Sequence, residues 1–144
     1  MKILMVVLCI ALSNYQINAQ KLNEGDVPEV LKNNLHQKFK TKDVDWDKEG
    51  ENYEASFEKK GKDVSVLFNA DGSILEVERE IKMKELPAAV KVALTRDFNG
   101  FDLKETTVIE ANGQISYEAE VKKWKKSFDL IFDAQGNLKK KGTR

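Results

Sequence analysis

The body of the chain repeats itself, and this duplication constrains the fold more than any other feature of the sequence. The first matched block recurs after 59 residues and the two later blocks recur after 64, always in the same order. The blocks are Val27-Pro28 with Leu86-Pro87, Tyr53-Glu54-Ala55 with Tyr117-Glu118-Ala119, and Phe68 to Ile74 with Phe132 to Leu138. The second copy therefore contains five extra residues, which we place near Thr106 to Asn112. We expect repeat one to span 26–82 and repeat two to span 85–142.

Each copy changes its apolar period once, from the period of a helix to that of a strand. Apolar residues at helical spacing open each copy, and they are Val27, Val30, Leu31, Leu35 and Phe39 in the first and Leu86, Val90, Ala93, Leu94 and Phe98 in the second. Strict alternation follows, as in Tyr53-Glu54-Ala55-Ser56-Phe57, with glycines at the expected turns. The sequence predicts an α+β fold. It consists of two tandem helix-plus-four-strand repeats that form one antiparallel sheet of about eight strands, with two helices packed on one face.

The first 19 residues have the order of a secretory signal peptide. Lys2 precedes an apolar run from Ile3 to Leu12, which is shorter than the roughly 20 residues that a membrane anchor needs. A polar stretch then ends at Ala19, the small residue near which we expect cleavage. This predicts a signal peptide at 1–19, a single domain at 20–144, and a periplasmic or secreted location. Cys9, the only cysteine, leaves with the signal peptide.

The charge balance argues against nucleic acid or membranes as partners. The sequence has 24 basic and 24 acidic residues, interspersed rather than in blocks, and removal of Lys2 leaves the mature chain with a single excess acid. No second long apolar run follows the signal peptide, so the sequence predicts no membrane span in the mature chain.

The sequence has few side chains that are suited to catalysis or to metal binding. His36 is the only histidine, which leaves neither a nucleophile–base pair nor a zinc ligand set. Acidic residues alternate with apolar ones and are expected to lie on a solvated sheet face, namely Glu76, Glu78, Glu80, Glu118 and Glu120. We therefore predict no catalytic residues, no metal site and no cofactor.

One local feature suggests binding. Trp124 is flanked on both sides by lysines, Lys122-Lys123 and Lys125-Lys126, at or beside a predicted hairpin tip where the first copy has Gly61. Packing of Trp124 onto a neighbouring strand is the favoured interpretation, and an exposed anchor for a partner is the alternative. Packing is also the favoured interpretation for Trp46. The candidate binding residues are those that an open sheet face and this hairpin would present, namely Trp124, Lys123, Lys125, Tyr117 and Trp46.

Three motifs resemble the PepSY-like domain family. They are Leu86-Pro87-Ala88-Ala89-Val90, Tyr117-Glu118-Ala119-Glu120-Val121 and Phe132-Asp133-Ala134-Gln135-Gly136-Asn137-Leu138. The resemblance covers both repeats. It implies a small exported bacterial protein with a fold similar to the β-lactamase-inhibitor protein, and an inhibitory or binding role outside the cytoplasm. That inhibitor carries disulfides, which the mature chain lacks.

Two functions from different classes remain. The first is a non-enzymatic extracytoplasmic binding module, an inhibitor or adaptor whose partner is another exported protein or a peptide. The alternative is a periplasmic protein that binds or senses a small ligand or cation, which requires a concave pocket. An enzyme is the third possibility, and the inventory of side chains argues against it.

Overall fold

The computed structural model describes residues 19–41 and 43–143, so the predicted signal peptide lies outside the described residues except for Ala19. The strands and helices in chain order are β1 Gln20–Leu22, α1 Glu29–Phe39, β2 Asp45–Glu49, β3 Asn52–Lys59, β4 Lys62–Phe68, β5 Ile74–Glu80, α2 Ala88–Asp97, β6 Asp102–Ala111, β7 Gln114–Lys123, β8 Lys126–Asp133 and β9 Leu138–Thr143. A 3₁₀ turn precedes each helix, at Glu24–Asp26 and Met83–Glu85.

The strands pair in chain order from β1 to β9, and this nine-stranded antiparallel arrangement confirms the predicted α+β class with its two tandem repeats. The strand in addition to the predicted eight is β1, which pairs with β2 through three residues. The sequence of β1 is too short to show alternation, which explains why the predicted number was about eight. The chain divides into two compact units, Met1–Val77 and Glu78–Arg144.

In unit 1, α1 packs on its own strands. Leu31 and Leu35 are the buried helical residues, as their spacing predicts. They join a core formed from alternate residues of β2, β3 and β4, together with Val27, and these strand residues are Trp46, Ala55, Phe57, Val64, Val66 and Phe68. Pro28 is the N-cap of α1. The missing N–H of proline costs no hydrogen bond at a helix start, where backbone N–H groups have no partner within the helix. The Pro28 carbonyl accepts the Leu31 N–H.

Unit 2 repeats this arrangement with α2. Val90, Ala93 and Leu94 are its buried helical residues. Their strand partners include Val108, Ala119, Val121, Leu130 and Phe132. Gly136 permits a close approach in this unit, because a Cβ at this position would lie 2.5 Å from the backbone oxygen of Ala89. The turn after β8 is thereby held against the first turn of α2.

The five extra residues of the second copy occupy two places. The register between β6 and β7 shifts between Leu103 and Glu105, which makes Lys104 a bulged residue. The other four lengthen the β6–β7 hairpin by two cross-strand pairs, Glu110 with Ile115 and Ala111 with Gln114, relative to the β2–β3 hairpin. The expected position near Thr106 to Asn112 thus contains the extra residues Glu110 and Ala111, but it misses the bulge and the two extra residues of β7.

Candidate binding site

The Trp124 hairpin, residues 122–126, is the tip of the β7–β8 hairpin. Lys123 and Lys126 are the last cross-strand pair, so Trp124 and Lys125 form a two-residue turn. The Trp124 side chain is 89% exposed. The favoured interpretation, in which this side chain packs on a neighbouring strand, is therefore wrong. Trp124 lies in a turn beyond the last cross-strand pair, and its side chain is left in solvent.

Trp124 also holds an unusual backbone conformation. Its φ is +57°, in the left-handed region, where a residue with a Cβ costs about 1–2 kcal/mol. The corresponding turn of unit 1 is Lys60-Gly61, between the paired residues Lys59 and Lys62. Register therefore aligns Trp124 with Lys60 rather than with Gly61, which corrects the alignment expected from sequence. Lys60 has a φ of +54°, so both turns share this backbone conformation, and a large apolar residue occupies the exposed position in unit 2 only.

The surroundings of Trp124 are cationic. Lys122, Lys123, Lys125 and Lys126 are all exposed. Lys123 lies on the helix-facing side of β7, where its Nζ is 5.2 Å from the centroid of the Phe101 ring. That distance fits a cation–π contact, which orients the ammonium group. The hairpin thus presents an indole within a positively charged segment.

Two of the predicted binding residues do not belong to this surface. Trp46 is only 3% exposed and packs in the unit 1 core, with its ring centroid 6.0 Å from that of Phe68. Tyr117 packs against the unit 2 core, between its cross-strand neighbours Val108 and Phe132. Both residues share the parity of the apolar positions on their strands, which directs them toward the helix. The structure therefore retains Trp124, Lys123 and Lys125 as a candidate surface and places Trp46 and Tyr117 elsewhere.

The sheet face opposite the helices is not the solvated acidic face that alternation predicts. Several of its acids are buried, namely Glu54, Glu76, Glu78, Glu118 and Asp129. Lateral neighbours explain this: Glu118 lies between Thr107 and Ile131, both buried, on the adjacent strands. On an interior strand, flanking side chains exclude water even where no helix covers the face.

Glu54 has a carboxyl group whose pKa is changed by its surroundings. It is 5% exposed, and the hydroxyl of Ser65 donates a hydrogen bond to its Oε1. Burial raises the pKa of Glu54 to about 7, against the lowering effect of the Ser65 hydrogen bond, and the neighbouring Glu49 raises it further. Burial also raises the pKa of Glu49. This pair can hold a proton at neutral pH. Glu54 lies on β3, which is flanked by β2 and β4. The alternation pattern showed the face that Glu54 occupies, but it did not show that neighbouring strands bury it.

Within residues 19–41 and 43–143, no group of three or more His, Cys, Asp or Glu side chains is arranged to hold a metal ion. His36 Nδ1 is 3.2 Å from the Thr41 carbonyl oxygen, near the C-terminal end of α1. No helix in the described part of the chain is long and apolar enough to cross a membrane.

The fold is a duplicated arrangement of one helix and several antiparallel strands. The chain belongs to the PepSY-like family, whose model, described as "Putative beta-lactamase-inhibitor-like, PepSY-like", matches residues 14–76 and 51–140. The two matches overlap at residues 51–76 and together cover most of both predicted repeats, and they confirm the family resemblance of the sequence motifs. Among curated proteins, no sequence matches the chain.

Solved structures from Bacteroides share the fold. A protein of B. eggerthii described as a putative periplasmic protein is 20% identical with a TM-score of 0.77, covering 81% of this chain and 88% of its own. A DUF2874 family protein of B. uniformis is 20% identical with a TM-score of 0.75, covering 81% and 89%. A BLIP-like protein of B. fragilis is 21% identical with a TM-score of 0.69, covering 81% and 86%. At these identities the likeness establishes the fold alone.

Proposed function

We propose that this protein is a non-enzymatic extracytoplasmic binding module that engages another exported protein through the Trp124 hairpin. One observation carries the proposal: a tryptophan is 89% exposed at a strained turn, among four exposed lysines. An exposed indole in water is unfavourable, and tryptophan is enriched among the residues that dominate protein interfaces. The family description as inhibitor-like supports a role in binding rather than catalysis.

The location outside the cytoplasm rests on the predicted signal peptide at 1–19 and on the B. eggerthii relative described as periplasmic. N-terminal sequencing of the exported protein tests it. We expect Gln20 as the first residue, or a residue within a few positions of it. A mature protein that begins at Met1 or Lys2 and stays in the cytoplasm contradicts the proposed location.

Affinity capture from an extracytoplasmic extract of the source cells tests the proposed partner. The full chain, expressed with its own N-terminus and a C-terminal tag, is compared with Trp124→Ala and with Lys60→Ala, the matched change at the equivalent turn of unit 1. We expect a stoichiometric protein partner with the wild type and with Lys60→Ala, and its loss with Trp124→Ala. A partner retained equally by all three refutes the role of Trp124.

A small-ligand function is the second candidate, because unit 1 contains a polar groove of about 350 Å³ between α1 and β2. Its lining includes Glu29, Asn33, His36 and Thr41. The volume falls within the range of small-molecule sites, but the lining is polar whereas such sites are mostly apolar. A thermal-shift screen of metabolites and cations tests this function, since a ligand that binds only the native state raises the melting temperature. No shift with any compound, together with a captured protein, excludes it.

A further inference from the structure

Unit 2 has a groove at the end of α2, beside the Trp124 hairpin, and it differs in character from the unit 1 groove. The unit 2 groove has a volume of about 190 Å³. Six of its nine lining residues have large apolar side chains, namely Met83, Leu94, Phe98, Phe101, Leu103 and Val121. Lys123 connects the groove to the hairpin, because its Nζ lies over the Phe101 ring.

The two grooves occupy equivalent places in the two repeats. The spacing of 59 residues aligns Glu24 with Met83 and His36 with Thr95, and each of these four residues lines the groove of its own unit. Val44 and Leu103 are likewise equivalent and line their respective grooves. The duplicated scaffold therefore has one polar groove and one apolar groove. Met83, which replaces an acid, remains 52% exposed at the rim of the apolar groove.

The walls of the unit 2 groove are fixed by aromatic packing. The Phe98 and Phe101 rings meet edge to face with centroids 5.8 Å apart. Phe101 also packs on Phe128 at 6.0 Å, and Phe98 on Phe132 at 6.4 Å. The Phe101 N–H donates to the Phe98 carbonyl, which holds the chain in its turn after α2. Because its side chains are already held in place, a preformed apolar groove loses little conformational entropy when it binds a partner.

The charge at the edge of the groove is positive. Lys123 and Lys126 project from the helix-facing side of their strands, the side of Val121 and Phe128. Lys141 of β9 lies on the same side, with its Nζ 4.3 Å from the Phe128 ring centroid and 5.7 Å from that of Phe98. The nine lining residues include no acid. Complementarity therefore favours a partner that carries negative charge next to an apolar group.

We infer that the unit 2 groove receives one large apolar side chain, such as phenylalanine or leucine, from an acidic segment of the partner protein, whose carboxylates face Lys123 and Lys126. A volume of about 190 Å³ is below the roughly 300 Å³ of the smallest typical small-molecule sites, and it suits a single anchor side chain. This inference rests on the proposed function and deepens it, because it states what the partner must present beside Trp124.

The test uses synthetic peptide probes and backbone amide chemical shifts of the full mature chain. The probes are acetyl-Glu-Asp-Phe-Asp-Glu-amide, the same peptide with alanine in place of phenylalanine, and acetyl-Lys-Lys-Phe-Lys-Lys-amide. We expect the acidic phenylalanine peptide alone to shift the amides of Leu103, Phe101 and Val121 in a saturable manner. Equal shifts with the alanine peptide or the basic peptide overturn the inference, as does the absence of shifts with all three.

Variants at the groove give a matched comparison between the two repeats. Met83→Glu copies the unit 1 residue into the groove and should weaken binding of the acidic peptide by about tenfold. The reciprocal change, Glu24→Met, alters only the unit 1 groove and should leave binding unchanged. Met83 and Glu24 are both exposed, so folding survives either change, which the amide spectra of the variants verify. Equal binding by both variants overturns the inference.

A free alkyl carboxylate is the competing occupant of the same groove. Decanoate, titrated below its micelle concentration, should not shift these amides at concentrations where the acidic phenylalanine peptide does. Saturable shifts with decanoate and none with the peptide overturn the inference in favour of a lipid-like ligand. Failure of this inference can be told apart from failure of the proposed function. The peptide experiments test the groove, whereas capture of a partner that is lost with Trp124→Ala tests the proposed function.

Discussion

Glu54 provides the sharpest test of the electrostatics of unit 1. Its carboxyl lies on β3, between β2 and β4, with Asp47 and Leu67 as its cross-strand neighbours. Burial raises the pKa of Glu54 from an ordinary value of 4.5 to about 7. The native state therefore binds this proton more tightly than the unfolded chain does. The stability that follows is complete below pH 4.5 and is lost as the pH rises to about 7.

The magnitude follows from linkage. Each pH unit between the two pKa values changes the unfolding free energy by about 1.4 kcal/mol for one group. The ceiling for Glu54 is therefore about 3 kcal/mol, and about 2 kcal/mol is the expected value after allowance for solvent screening and for the neighbouring Glu49. Glu54→Gln removes the titration while its amide oxygen still accepts the hydrogen bond from Ser65.

Urea denaturation at half-unit intervals from pH 4 to pH 8 measures the effect. We expect Glu54→Gln to equal the wild type near pH 4 and to exceed its stability progressively, by about 2 kcal/mol at pH 8. The control is Glu58→Gln, which removes an exposed acid from the same face of β3, and the pH-dependent gain of Glu54→Gln should exceed any change that this control shows. A pH-independent difference for Glu54→Gln refutes the reasoning.

Three further predictions concern packing, backbone and a turn. Phe68→Ala, which empties a fully buried position in the unit 1 core, should reduce the unfolding free energy by about 3–5 kcal/mol in denaturant titration, and a loss below 1 kcal/mol contradicts the assigned core. Gly136→Ala should reduce the unfolding free energy by about 3 kcal/mol, and Gly113→Ala should reduce it by about 1 kcal/mol. Both glycines have positive φ, but of the two only Gly136 lies against backbone atoms, and equal losses refute this close approach. Hydrogen bonds, chiefly from Asn137, lower the pKa of Asp133 to about 2. The ionised Asp133 should therefore still stabilise the fold at pH 4, and this stabilisation should fade as the pH falls to about 2. A midpoint near 4 in a carbon-detected NMR titration of Asp133 contradicts this prediction.

The repeat and the change of period were sufficient to predict the fold class, because both depend on side chains that alternate or recur within one copy. Leu31, Leu35, Ala55 and Phe57 are buried where the pattern predicted. The acids Glu76, Glu78 and Glu118 were expected in solvent, yet they are buried. Alternation reports which face a side chain occupies, but exposure on that face depends on neighbours from other strands, which sequence spacing does not show.

The candidate site was predicted in part. Composition identified Trp124 and its lysines, but not whether the indole packs, since that depends on how far the turn projects beyond its strands. Trp46 was a candidate because of its residue type, but packing was its favoured interpretation, and its strand parity does place it in the core. The unit 2 groove was missed, and the signal was present: Met83 stands where the first copy has Glu24. A substitution from acid to apolar between repeats marks a surface whose environment has changed.

The binding isotherm of the captured partner on the wild type, Trp124→Ala and Lys60→Ala tests the central claim most directly. Trp124 as an interface anchor predicts that Trp124→Ala weakens binding by about 30-fold, the equivalent of about 2 kcal/mol, while Lys60→Ala changes it by less than about twofold. All three proteins must show the same amide spectrum outside the altered turns. Affinities that agree within about twofold for the wild type and Trp124→Ala contradict the claim that this hairpin is the binding surface.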